Sequence, residues 1–83
     1  MKPGSVEEKI AKAVGSRCRK LREAKSLTLD DMESVGLGSR HYFRVENGRK
    51  SATLWTYLRI ARALEVTISD LLQGIELPSK WSP

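Results

Sequence analysis

Residues 36–50, GLGSRHYFRVENGRK, decide how the rest of the chain is read. Projected at about 100° per residue, Arg40, Phe43, Arg44 and Asn47 fall on one stripe of a helix, Tyr42 and Val45 on the opposite one, and Glu46 at its edge. Tyr42 and Val45 are the core side, because the reverse orientation would bury two arginines and expose a tyrosine–valine pair. Asn47 and Gly48 tolerate the left-handed backbone that closes a helix, and Gly36 and Gly38 bracket a turn ahead of it. The stretch is therefore predicted to be a turn, a helix beginning near Ser39, and a basic loop.

Two of its residues do not fit a plain amphipathic helix. Glu46 faces inward or nearly so, and a half-buried carboxylate needs a cation or several donors. Arg22, four residues after Cys18 and on the flank of the first helix's apolar stripe, is the expected partner. Phe43 faces out between arginines. It is either a lone exposed aromatic, which needs no explanation, or an apolar contact for a thymine methyl or sugar, flanked by guanidiniums that reach base edges and phosphates.

Upstream, Ser5 and Glu8 form a capping box ahead of apolar Val6, Ile10, Val14, Cys18 and Leu21, which predicts a long helix over residues 6–25. Gly15 inside it costs up to ~1 kcal/mol relative to alanine and points to the close approach of another backbone. Thr28 caps a second short helix over residues 29–35, with Asp30 and Asp31 in the first turn, where the helix dipole favours carboxylates. That explains the acidic pair without acid–base or metal chemistry.

Downstream, Thr53 caps a fourth helix whose inward face is predicted to be Leu54, Tyr57, Leu58, Ile60, Ala61 and Leu64, with Arg59 and Arg62 outside. Thr67 caps a fifth over residues 68–73, before Gly74. The chain shows no strand alternation and no internal repeat. The expected fold is all-α, a compact five-helix bundle formed by residues 1–74, followed by a tail of residues 75–83.

Composition bounds the function. The 83 residues allow one domain with a single small core. Fifteen Lys and Arg against ten Asp and Glu leave a net charge of +5, which favours an anionic partner. The single cysteine excludes an internal disulfide and a paired-cysteine metal knuckle. Neither a signal-peptide core nor a run near the ~20 apolar residues of a membrane span is present, so a soluble, cytoplasmic protein with no membrane partner is expected. His41 is the lone histidine, a flanking surface residue beside the basic face or a minor DNA contact, and no nucleophile–base or phosphate-loop spacing exists. The reading is therefore not an enzyme, with no cofactor and no metal.

A short helix, a tight turn and an outward basic helix make a helix-turn-helix. Here the sequence resembles the lambda repressor and Cro family, often called XRE-like. The resemblance is carried by LREAKSLTLDD (residues 21–31), by residues 36–50, and by LRIARALEVTISDLLQG (residues 58–74). It implies a DNA-binding domain that regulates transcription, such as a repressor, as a homodimer on a palindromic double-stranded operator. By position it places Ser39, Arg40 and Arg44 at base edges with Phe43 beside them, and Thr28, Asn47, Arg49 and Lys50 at phosphates. The family's glutamate of Glu-Asn-Gly pairs with the arginine of Leu-Arg, which is the Arg22–Glu46 pair inferred above from burial.

The sequence also departs from the family. Between Thr28 and Gly36 it is one residue short, so either Met32 or Glu33 takes the usual alanine place at the crossing of the second and third helices. Leu29 replaces a polar residue that often bonds phosphate, and Glu65 stands where glycine usually ends the fourth helix. Dimerisation is expected through the fifth helix, with Ile75, Leu77 and Trp81 packing across it, unless the tail is disordered or folds back on its own domain. A second reading is a protein-binding adaptor or antitoxin, supported by Leu29, the Asp30-Asp31 pair and an apolar tail open to a protein partner.

Overall fold

The computed structural model describes residues 2–79, and of Ser34 and Val35 the backbone alone. Among them every regular element is helical: α1 (Val6–Ala24), a 3-10 segment (Asp30–Val35), α2 (Ser39–Glu46), α3 (Leu54–Ala63) and α4 (Ile68–Leu71). Side-chain caps start most of them. Ser5 accepts from the Glu8 N–H at 3.1 Å, Thr53 from Thr56 at 3.2 Å, and Thr67 from Asp70 at 3.0 Å, while the Asp70 carboxylate accepts from the Thr67 N–H in return.

The three longest helices end alike. Ser26, Gly48 and Glu65 take left-handed φ values of 57°, 66° and 57°. The next residue then returns its N–H to a carbonyl five positions back: Leu27 to Arg22 at 3.1 Å, Arg49 to Arg44 at 3.1 Å, and Val66 to Ala61 at 3.0 Å. Only the middle closure uses glycine. Glu65 thus keeps the left-handed conformation that its replacement of glycine threatened, at about 1 kcal/mol.

The expected second α-helix is corrected. Residues 30–35 wind as a 3-10 helix, so the described residues form four α-helices and one 3-10 segment. The missing residue supplies a reason: a 3-10 helix rises ~2.0 Å per residue against ~1.5 Å in an α-helix, so a shorter segment spans the same gap. Thr28 starts it, accepting from the Asp31 N–H at 3.1 Å while the Asp31 carboxylate accepts from the Thr28 N–H at 2.7 Å. Gly36, at φ 79°, ends it. The register resolves to Met32, fully buried, with Glu33 exposed.

The core joins all five elements: Val14 and Cys18 from α1, Met32, Leu37 from the turn, Tyr42 and Val45 from α2, Ile60 and Ala61 from α3, then Leu64 and Leu71. Gly15 lies against the Val45 and Glu46 carbonyls, where no Cβ fits. Gly48 sits equally close to the backbone of Lys12, so α1 and the end of α2 touch along their main chains. At the other end of α1, Arg17 donates from Nε and Nη2 to the Asp70 carbonyl at 3.1 and 3.0 Å, tying α4 down.

The inward face of α3 is narrower than expected. Leu54 and Leu58 are exposed, and Trp55 stands out beside them, because Tyr57, Ile60, Ala61 and Leu64 already cover the small core. In the tail, Ile75 packs on the core, and Leu77 and Pro78 edge a shallow groove beside Val6, Ile10 and Ala13 of α1. Trp81 lies outside the described residues.

Candidate nucleic-acid interface

The helix-turn-helix consists of the 3-10 segment, the turn at residues 36–38 and α2. Three contacts fix α2 in rotation. Tyr42 and Val45 are buried to 0% and 1% exposure, and Glu46, at 7%, is the one buried charged residue among those described. Arg22 holds it with two nitrogens: Nε donates to Oε2 at 2.7 Å and Nη2 to Oε1 at 3.1 Å. The third nitrogen, Nη1, donates to the Leu27 carbonyl at 2.8 Å, so the guanidinium also ties down the end of α1. The Glu46 hydrogen bond, more than burial opposes it, raises the affinity of Arg22 for its proton.

One polar atom in this cluster is poorly matched. The Tyr42 hydroxyl is buried beside the Glu46 carboxylate but makes no hydrogen bond of regular geometry. Burial, and then the neighbouring Glu46 carboxylate, push its ionisation well above the usual tyrosine range. Burial likewise pushes the Cys18 thiol up to about 12, with the Glu46 charge adding to it. Both groups are therefore neutral and inert under ordinary conditions, so this cluster is an anchor rather than a reactive centre.

The opposite face of α2 is open. Arg40, Arg44 and Asn47 are exposed, and Phe43 is 48% exposed. The structure brings Arg40, Arg44 and Lys50 together around one concavity, with His41 and Gly38 completing its wall. Phe43 and Asn47 border a second hollow with Arg19 and Leu29, on the side toward α1. Asn47 Nδ2 donates to the Phe43 carbonyl at 2.8 Å, which holds the amide at the end of the helix. Ser39 is half-buried at the first position of α2, while Thr28 and Arg49 are exposed outside both hollows. Leu29, half-buried, packs toward the core.

Arg19, on α1, is a member of this face that the sequence did not single out. Its only partner among the described residues is Glu23, at 3.5 Å and exposed, which leaves the guanidinium able to turn toward Phe43 and Asn47. Its place depends on where α1 crosses α2, for which the sequence offers one local signal, the glycine at position 15. Chemically the face offers planar guanidiniums, an ammonium and a half-exposed ring. That set is chemically suited to a polyanion and to the edges of flat polar rings.

A helix-turn-helix family model (HTH_3) matches residues 19–71. The chain is similar in structure to the restriction-modification controller protein C.AhdI of Aeromonas hydrophila, at 31% identity and a TM-score of 0.71 over 74% of this chain and 94% of that one. It also resembles the clp gene regulator ClgR of Corynebacterium glutamicum, at 23% identity and a TM-score of 0.73 over 76% of this chain and 83% of that one; this likeness bears on the fold alone. The apo form of the competence regulator ComR of Streptococcus vestibularis matches at 27% identity and a TM-score of 0.73, over 83% of this chain but 24% of that one. No curated protein matches the chain. With its buried Arg22–Glu46 anchor, its outward basic α2 and a family match across both, the chain belongs to the helix-turn-helix family of the lambda-repressor-like, XRE-like type.

Proposed function

We propose that this chain is a small transcriptional regulator that binds double-stranded DNA in the cytoplasm, with α2 in the major groove, as a homodimer on a palindromic operator. The observation that carries it is the division of α2: one face is locked by Tyr42, Val45 and the Glu46 carboxylate, and the other turns Arg40, Phe43 and Arg44 outward beside Lys50. A reading helix needs both, since base edges are distinguished only by groups held in register. Arg40 and Arg44 read base edges, with Ser39 at the start of the helix and Phe43 against a methyl or sugar. Asn47 and Lys50 at the edges of that face, with the exposed Thr28 and Arg49, take phosphates, and Arg19 joins them from α1.

The likeness to C.AhdI, a restriction-modification controller protein, supports the reading. No helix of the described residues is long and apolar enough to cross a membrane. Selection of bound sequences from a random duplex pool tests it. A palindromic motif with half-sites about one helical turn apart is the expected product. A pool that shows no enrichment overturns the proposal.

A further inference from the structure

Leu54, Trp55 and Leu58 are 67%, 67% and 40% exposed on α3, whose other side buries Ile60 and Ala61. Single exposed apolar residues are ordinary, but three within five positions, one of them tryptophan, form a contiguous patch, and the largest such patch on a small protein is often functional. At about 100° per residue, Leu54, Leu58, Arg62 and Trp55 share an arc of about 100°. Arg59 does not stand in front of them: its guanidinium lies over Gly36, where an added Cβ would strike Nη2. Arg62 is exposed and makes no ion pair among the described residues.

We propose that this stripe receives a second copy of the chain, the two α3 helices packing antiparallel about a two-fold axis. A two-fold interface must be its own complement, with residue i meeting residue j and j meeting i. The stripe satisfies this. An axis between Leu58 and Arg59 sets Trp55 of each copy against Arg62 of the other and brings the two Leu58 side chains together. Trp over Arg is a cation–π pair, and both residue types dominate the energetics of protein interfaces. An acidic partner would match Arg62 but leave the tryptophan and leucines without counterparts.

The area fits a weak dimer. The three apolar side chains expose on the order of 300–400 Å² per copy, about half of a standard protein–protein interface. α4 and the tail are less suited: Ile68, Leu71 and Ile75 pack on the chain's own core and Leu77 lies beside α1, which leaves Leu72, 39% exposed, at the end of α4. The inference names the dimer surface of the reading above and rests on it, since two half-sites need two copies; association is nevertheless measured without DNA.

Sedimentation equilibrium of the full chain, free of DNA, tests it across a concentration series. The wild type is expected to show a monomer–dimer equilibrium. Trp55→Ala and Arg62→Glu each raise its dissociation constant by about tenfold or more, whereas Arg62→Lys, which keeps the cation, changes it several-fold less. Leu72→Ala with Leu77→Ala leaves it unchanged. Circular dichroism of Trp55→Ala matches the wild type, because the side chain is exposed. A wild type monomeric throughout overturns the inference, as does association that survives Trp55→Ala or is lost in the Leu72/Leu77 variant alone. Enrichment of a DNA motif by a monomeric wild type would overturn the dimer surface and leave DNA reading intact.

Discussion

Arg22 grips Glu46 with two nitrogens, at 2.7 and 3.1 Å, across the crossing of α1 and α2. The side chains are 12% and 3% exposed, so each charge depends on the other for the solvation it has lost. Glu46→Ala leaves a guanidinium facing the core with one carbonyl as partner and is expected to cost ~3–5 kcal/mol, the range for breaking a buried pair. Glu46→Gln keeps the shape and loses less. Chemical denaturation of the three proteins checks the order. An unchanged midpoint in Glu46→Ala would remove the pair from the account of what orients α2.

Gly15 makes a second, independent contact at the same crossing. Alanine there gains ~1 kcal/mol in helix propensity, but its methyl group would overlap the Val45 and Glu46 carbonyls, which are backbone and cannot swing aside. Overpacking of this kind costs ~1–3 kcal/mol. Gly15→Ala is therefore expected to be net destabilising, visible as a lower thermal midpoint. It should also weaken DNA binding, because α2 is pushed away from α1. A stabilised variant would mean that the helices separate freely.

Tyr42→Phe separates packing from hydrogen bonding. The ring is fully buried, but the hydroxyl makes no hydrogen bond of regular geometry to the Glu46 carboxylate beside it, so removing it should leave stability at neutral pH nearly unchanged. Alkaline pH tells the two apart. A tyrosine whose pKa is raised by folding contributes stability that is present below the unfolded value of 10.0 and lost as pH rises past it, because only the unfolded chain can ionise. Cys18 acts in the same sense from 9.0 upward, toward about 12. The wild type should thus lose stability above about pH 9, and Tyr42→Phe should lose less above pH 10. Parallel pH–stability curves for the two proteins would count against this account.

The helix limits and faces were legible because they are local. Ser5, Thr53 and Thr67 announce their helices by hydrogen-bonding chemistry within three residues, and the two sides of α2 follow from its period. What failed depended on other elements. The 3-10 winding of residues 30–35 answers a fixed distance between α1 and α2, and composition alone does not separate it from an α-helix. Leu54 and Leu58 read as inward because they are apolar, but a core this small has no room for six residues of one helix. Trp55 and Arg19 were passed over for a related reason: their meaning lies in which neighbours the fold gives them.

The functional face predicts two different kinds of loss. Arg40 and Arg44 stand on the open side of α2, where an arginine bidentate to guanine discriminates by ~1–3 kcal/mol. Arg40→Ala should relax preference at one operator position and leave binding to random duplex little changed. Lys50→Ala, Arg49→Ala and Arg19→Ala should instead weaken all sequences alike and each reduce the salt slope of binding by about one, the loss expected for one phosphate contact under the proposed reading. Titrations of the selected operator and of a scrambled duplex at several salt concentrations distinguish the two patterns. If Arg40→Ala lowered both affinities equally, its guanidinium would be a phosphate ligand and base reading would have to fall to Arg44 and Ser39. If Arg19→Ala left the slope unchanged, α1 would lie clear of the DNA and its exposed pair with Glu23 would be the whole role of that side chain.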